Sequence, residues 1–369
     1  MLICLLKNCS KKLNLNHLCT QKNKTSDLLT KRGEILKVLR NIEVPTGNIM
    51  IVEGEKGKLE VLSLGDYGQT NNVKAQFLGL NKDIDGVANG ECMSLEEKWV
   101  VTLSTQYGCN SACKFCDVPK VGRGINATYN DMKGQIETAL LLHPEITSTK
   151  RLNVHYARMG EPSWNPDVLK LSYDLHKVVK PYIGNSLIHP VFTTMCPNKN
   201  KKLFSMLQEW TNDVKNDCFR GDAGLQISIN STSEEQRQDM FSGNAHTLTE
   251  ISDMVRDLPM PKGRKYALNF ALADNYEVDA QKLRKLFDPN KCMVKITPLH
   301  MTHSCAENDI KTSDGYTSFV PYQKAESDLI NAGFDVLIFV PSSDEDGGRI
   351  TCGNAILSGS MPECKYNER

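Results

Sequence analysis

Apolar and polar residues follow two different rhythms along this chain, and the change from one to the other divides it. RGEILKVLRNI places Ile35, Leu36 and Leu39 at helical spacing, with Pro45 and Gly47 set to end that helix. NIMIVEG, KLEVLSL and VKAQFLGL then alternate with a period of two between Gly-containing turns, which predicts a small antiparallel β module over about 48–80. From Trp99 onward strand and helix take turns. WVVTLS, RLNVHYAR, HPVFTT, LQISIN, YALNFALA and MVKITPL read as short buried strands, and stretches such as NPDVLKLSYDLHKVV and AQKLRKLF as helices between them. Six such units predict a parallel sheet that curls, with right-handed crossovers and helices on the outside. Parallel barrels carry their chemistry at the C-terminal ends of the strands. The expected organisation is a flexible N-terminal extension over 1–30, a helix plus antiparallel β module over 31–95, the barrel over 96–340, and a C-terminal loop and tail over 341–369.

Length, charge and cysteine usage bound the function. A chain of 369 residues can bury a large core. Its 44 Lys and Arg balance 44 Asp and Glu, so no global field draws it to nucleic acid or to an anionic membrane. The apolar run Met1 to Leu6 is far short of the roughly 20 residues a spanning helix needs. Lys7 to Arg32 carries a single acid, Asp27, and is poorer in arginine than a transit peptide, which predicts a frayed extension. Thirteen cysteines without a secretory signal point to a reducing compartment, the cytoplasm.

Cysteines crowd in one place, the stretch WVVTLSTQYGCNSACKFCDVPKVGRG that follows the first barrel strand. Cys109, Cys113 and Cys116 share one short loop, and no fourth cysteine follows at ligand spacing. Three such thiolates can hold three corners of a cubane iron-sulfur cluster and leave the fourth iron open. A zinc site is the competing reading, though zinc takes four ligands in a closed tetrahedron. One unit later, MGEPSWNP sets Gly160 and Glu161 at a strand end, a carboxylate suited to charge-assisted hydrogen bonds with an ammonium group. Thr193, then Ser228, Ile229 and Asn230, then His300 occupy equivalent heights on later strands; each is alternatively an ordinary structural residue. PSSDEDGGRITCGNAI sets Cys352 among Gly347, Gly348 and Gly353, a composition that favours a loop over the buried cysteine that is otherwise the default.

The C-x3-C-x2-C spacing, with Phe115 before the last cysteine, resembles the radical S-adenosylmethionine (SAM) superfamily, in which the open iron chelates the amino and carboxylate groups of SAM. Over about 90–355, the cysteine loop, MGEP, the FTT and ISIN strand ends, the segment Pro298 to His300 and the C-terminal TCGN together resemble the RlmN/Cfr class of radical SAM RNA methyltransferases. That resemblance implies an α/β fold, a partial (βα)6 TIM-type barrel with a small N-terminal β-containing module. It implies a 4Fe-4S cluster on Cys109, Cys113 and Cys116, and SAM held by Gly160, Glu161, Thr193, Ser228, Ile229, Asn230 and His300. Cys352 matches the cysteine that this family methylates on sulfur. A second SAM would supply a 5'-deoxyadenosyl radical that takes a hydrogen atom from that methyl group, and the carbon would pass to an sp2 centre of a nucleobase in RNA or in a smaller molecule. The reductant would be an electron donor such as flavodoxin or ferredoxin, and Glu91 matches a family acid invoked as proton acceptor.

The chain also departs from the family. Thr102 stands where the family has a second cysteine that resolves the covalent adduct, and a hydroxyl cannot form the disulfide that step requires. Cys92 and Cys305 are the nearby stand-ins. Asn230 replaces a histidine, and His300 an asparagine. The alternative is an iron-sulfur protein of electron transfer or redox sensing that does not methylate; MGEP and Cys352 favour the enzyme, because a redox module needs neither.

Overall fold

The computed structural model describes residues 35–66, 93–184, 186–312, 320–341 and 343–363. Among them ten strands form one sheet whose spatial order is the chain order: β1 (Lys37–Val44), β2 (Gly47–Gly54), β3 (Gly57–Leu64), β4 (Trp99–Leu103), β5 (Leu152–Tyr156), β6 (Ile188–Thr194), β7 (Gly224–Ser228), β8 (Tyr266–Leu272), β9 (Cys292–Pro298) and β10 (Val336–Ile338). β1 to β4 pair antiparallel. From β4 onward every pairing is parallel. The fold is α/β, a partial barrel, with β1 and β10 as its two edges.

One phase of each barrel strand builds the core. Trp99, Val101 and Leu103 of β4, Val154 and Tyr156 of β5, Ile227 of β7, Phe270 of β8 and Ile296 of β9 bury into a single apolar cluster with the covering helices. These include α1 (Tyr129–Leu141), α2 (Asp167–Val179), α3 (Leu203–Glu209), α5 (Leu248–Asp257), α6 (Ala280–Leu286) and α8 (Gln323–Asn331), whereas α4 (Glu234–Met240) and α7 (His303–Glu307) meet in a smaller cluster of Met240, Leu299 and Cys305. Because side chains alternate, the other phase, with Thr102, His155, Thr193, Ser228, Asn269 and Lys295, faces the concave side. Thr128 and Asp131 close a capping box at the start of α1. Asp131 also accepts the Tyr107 hydroxyl at 2.6 Å, tying that helix to the cysteine loop.

Two expectations are corrected. The helix expected around Ile35, Leu36 and Leu39 is strand β1, because β2 offers an edge to pair with and Ile42 and Val44 find a core there, while Val38 and Leu39 stay exposed. The antiparallel strands do not stand in front of the barrel but continue its sheet, with Val61 of β3 opposite Leu103 of β4. VKAQFLGL and the extension over 1–30 lie outside the described residues. FDVLIFV contributes β10, a seventh parallel strand beyond the six units expected. Among the described residues no helix is long and apolar enough to cross a membrane.

Candidate functional site

The cysteine loop leaves β4 and is held from both sides. Gln135 of α1 accepts the Ser104 N–H at 2.8 Å and donates back to the Ser104 carbonyl at 3.0 Å. Asn165 donates to the carbonyls of Thr105 and Ala127, both at 2.8 Å. A side chain at Gly108 would put its Cβ 2.1 Å from the Gly122 carbonyl oxygen, so only glycine lets the loop close on itself. Ala112 takes the left-handed conformation, φ 52°, and turns the chain back between Ser111 and Cys113.

The three thiols are partly buried. Cys109 and Cys116 pack against Val118, Met159 and Ala355. Cys113 packs against Met195, Phe241 and Ala245. Burial, the largest cause, pushes all three pKa values up, and at Cys113 and Cys116 the neighbouring thiols push the same way. The loop thus gathers sulfurs that favour being neutral, a set whose negative charge a metal centre would stabilise as it displaces the protons. The Ser111 N–H points at the Cys109 sulfur, 3.4 Å away. Among the described residues no three His, Cys, Asp or Glu side chains gather tightly enough to hold a metal ion as they stand. A cubane instead takes each thiolate on a different iron and requires the sulfurs to be spread.

Glu161 sits at the end of β5, locked to the cysteine loop. Its N–H donates to Gln106 Oε1 at 3.0 Å, and its carboxylate accepts the N–H groups of Ser163 and Met195, both at 3.1 Å. Burial raises its pKa above the usual carboxylate range, against the lowering effect of those hydrogen bonds. Its charge is felt at Cys109 and Cys113. Gly160 has φ 92°, and a Cβ there would lie 2.5 Å from Gln106 Cβ.

The remaining strand-end residues divide. Thr193 of β6 is partly accessible on the concave face. The Ser228 and Ile229 carbonyls are taken by Arg237, at 2.7 and 2.8 Å, so these two residues offer a ligand little beyond the Ser228 hydroxyl. Asn230 is left-handed, φ 62°, and spends its amide on the Ala271 N–H at 3.0 Å and on the Met240 sulfur at 3.2 Å. His300 lies near the rim with Nδ1 3.5 Å from Asp346. Glu91 and Cys92 lie outside the described residues.

The loop carrying Cys352 lies against the cysteine loop. The Asp117 N–H, one residue past Cys116, donates to the Gly353 carbonyl at 2.8 Å. A Cβ at Gly353 would be 3.3 Å from the Phe115 carbonyl oxygen, so the close approach needs glycine, as does its φ of 90°. Asp117 in turn accepts the N–H and hydroxyl of Ser304, at 2.9 and 2.7 Å, which fixes α7 to the same place. Cys352 itself is exposed. Thr102 faces the concave side opposite His155, and Cys305 is fully buried with its thiol donating to the His300 carbonyl at 3.3 Å.

Residues that the sequence reading passed over complete the site. Arg237 is fully buried with no carboxylate partner; besides Ser228 and Ile229 it donates to the Met195 carbonyl at 3.2 Å and stacks on Phe241 at 4.7 Å. It clamps the ends of β6 and β7 together. Asn269 of β8 has its Oδ1 buried without a hydrogen-bond partner, as do the hydroxyl of Ser163, the hydroxyl of Ser111 and Oδ1 of Asn354. Each such atom costs about 1–3 kcal/mol. Ser163 lies beside the Glu161 carboxylate and Ser111 beside the Cys109 sulfur, so Asn269 and Asn354 are the stronger cases, one on the concave face and one beside Gly353. Asn269 is the one polar member of the concave phase Ala267, Asn269, Ala271, and a single asparagine in a strand is too weak a signal to mark a site in the sequence. His155 is held neutral, its pKa pushed down to about 3 by burial first and then by Lys295, Lys98, Arg264 and Arg151.

No protein-family model matches the chain. Among curated proteins it is similar to a dual-specificity RNA methyltransferase RlmN of Sulfurimonas denitrificans, with 26% identity over 211 residues, 56% of this chain and 55% of that protein. The RlmN of Campylobacter lari shares 28% over 205 residues, 54% of this chain and 53% of the relative. The chain thus spans about half the length of the curated relatives it matches. Among solved structures, a radical SAM methyltransferase from Sphaerobacter thermophilus has the same fold, with a TM-score of 0.58 and 17% identity over 90% of this chain and 85% of that one.

Proposed function

We propose that the chain, similar to RlmN proteins over about half their length, is a radical SAM methyltransferase with a 4Fe-4S cluster on Cys109, Cys113 and Cys116 and a methyl acceptor at Cys352. The observation that carries this reading is the hydrogen bond from the Asp117 N–H to the Gly353 carbonyl, which sets Cys352 beside the last cluster cysteine. The cluster and SAM, when bound, supply the 5'-deoxyadenosyl radical that abstracts hydrogen from the methyl group on Cys352. Everything else falls to the chain. Glu161 and Gly160, at the end of β5 beside the cysteine loop, would hold the SAM ammonium by a charge-assisted hydrogen bond to the carboxylate. Asn269, Thr193, Ser228 and Ser163 offer polar atoms along the strand ends, with Ile229, Asn230 and His300 shaping the wall. Glu91 is the candidate proton acceptor.

The substrate class is an sp2 carbon of a nucleobase, in RNA or in a smaller nucleobase-containing molecule, with reducing equivalents from a donor such as flavodoxin or ferredoxin. A redox protein that keeps the barrel without methylating is the second reading, and Thr102 favours it because the hydroxyl cannot resolve a covalent adduct. Mass spectrometry of cluster-loaded protein after incubation with SAM separates the two. A methyl group on Cys352 is the expected result; an unmodified Cys352 overturns the first reading.

A further inference from the structure

Glu60 and Arg158 form an ion pair inside the protein, far from each other in sequence. Arg158 Nε donates to Glu60 Oε2 at 2.9 Å. Its Nη2 is 2.7 Å from the same oxygen, too poorly aligned to count as a hydrogen bond. Both side chains are essentially excluded from water, at 2% and 0% exposure. Stability alone is a weak reason for such a pair, since desolvating two charges offsets much of their attraction and apolar replacements of like volume are often neutral or stabilising. What the pair does with its remaining atoms is more telling. Glu60 Oε1 accepts the Leu357 N–H at 2.7 Å, and Arg158 Nη1 donates to the Arg349 carbonyl at 3.0 Å. These two bonds fall on either side of Cys352. Between them Ile350, Ile356 and Leu357 pack on Ile42, Ile51, Leu62 and Val100, and Gly353 touches the cysteine loop. Arg158 is also one residue from Met159, whose carbonyl accepts the Thr105 N–H at 2.8 Å where the cysteine loop begins.

We infer that the Glu60–Arg158 pair is a clamp that positions the Cys352 thiol against the cluster loop by gripping both ends of the segment that carries it. This rests on the reading of Cys352 as methyl acceptor, and it adds two positioning residues that touch neither cofactor nor substrate. Without the pair, Arg349 and Leu357 lose charge-assisted bonds, and the segment keeps its anchors at Gly353, at the Met301 carbonyl that accepts Arg349 Nη1 at 3.0 Å, at Asp346, which accepts the Thr351 hydroxyl at 3.1 Å, and in its apolar side chains.

Hydrogen-exchange mass spectrometry on cluster-loaded protein tests it, with iron content and methyl occupancy of Cys352 measured on the same samples. Glu60→Gln should speed exchange across 349–357 by about tenfold or more and lower methyl occupancy, with iron per chain unchanged. Because the single variant also leaves a buried cation unpaired, a Glu60→Leu/Arg158→Met double variant separates roles. Its melting temperature should return toward that of the parent, while exchange over 349–357 stays fast and occupancy stays low. Parent-like exchange in Glu60→Gln overturns the clamp, as does a double variant that recovers slow exchange along with stability. Should the parent itself carry no methyl on Cys352, the functional reading falls, and the exchange comparison still decides whether the pair holds the loop.

Discussion

Replacing Gly160 by alanine probes how tightly the turn at the end of β5 is built against the cysteine loop. At φ 92° an L side chain is strained, which costs on the order of 1–3 kcal/mol. The added Cβ would also sit 2.5 Å from Gln106 Cβ, 2.6 Å from its Cγ and 2.8 Å from its backbone nitrogen. The last of these is main chain and cannot rotate away, so Gln106 has to move. Gln106 is the residue whose Oε1 accepts the Glu161 N–H, and losing that buried bond costs about 1–3 kcal/mol more. The total is about 2–6 kcal/mol. Urea unfolding of the apoprotein should show a lower midpoint at unchanged slope, and anaerobic reconstitution should leave less iron per chain. Gly184, which has open space around it, is the control, and alanine there should be nearly neutral. A Gly160→Ala protein with parent midpoint and parent iron content would refute the argument that these two loops are interlocked through Gln106.

Three further outcomes are expected. His155 has its folded pKa pushed down to about 3, below its unfolded value, so its stabilising neutral form is lost to the unfolded state as pH falls from about 6.5 toward 3. His155→Asn should remove up to about 1.4 kcal/mol per pH unit of acid sensitivity in that window; identical pH profiles by urea titration would contradict the burial argument. Cys113→Ala should abolish cluster binding by iron analysis and visible absorption, whereas Cys352→Ala should keep the cluster and lose methyl incorporation; methyl label on the second variant would move the acceptor elsewhere. Thr102→Cys sets a thiol on the concave face opposite His155 and should increase release of methylated product from the protein; no increase would show that adduct resolution takes another route.

The parallel strands were legible because each is short and bounded by turn residues, and one phase of each carries the residues that meet the helices. The same cue failed at β1. Ile35, Leu36 and Leu39 have helical spacing, but the segment's conformation is decided by the open edge of β2 beside it, which no local window contains. The cysteine loop, Glu161 and Cys352 stood out as candidates because their signatures are compact in sequence. Arg237 and Asn269 were not, since a lone arginine in a helix or a lone asparagine in a strand has no such signature. The Glu60–Arg158 pair was least accessible of all: two ordinary surface-type charges 98 residues apart become partners only once β3 lies beside β4 and β5 beside that.

A sheet laid down in chain order can be assembled in the order in which a ribosome delivers it, each strand docking on the edge left by its predecessor. Glu60, however, waits for the amide of Leu357, 297 residues later. The cysteine loop is therefore delivered well before the segment that carries Cys352 can be seated against it, and the contact between Asp117 and Gly353 is among the last in the sheet's assembly to close.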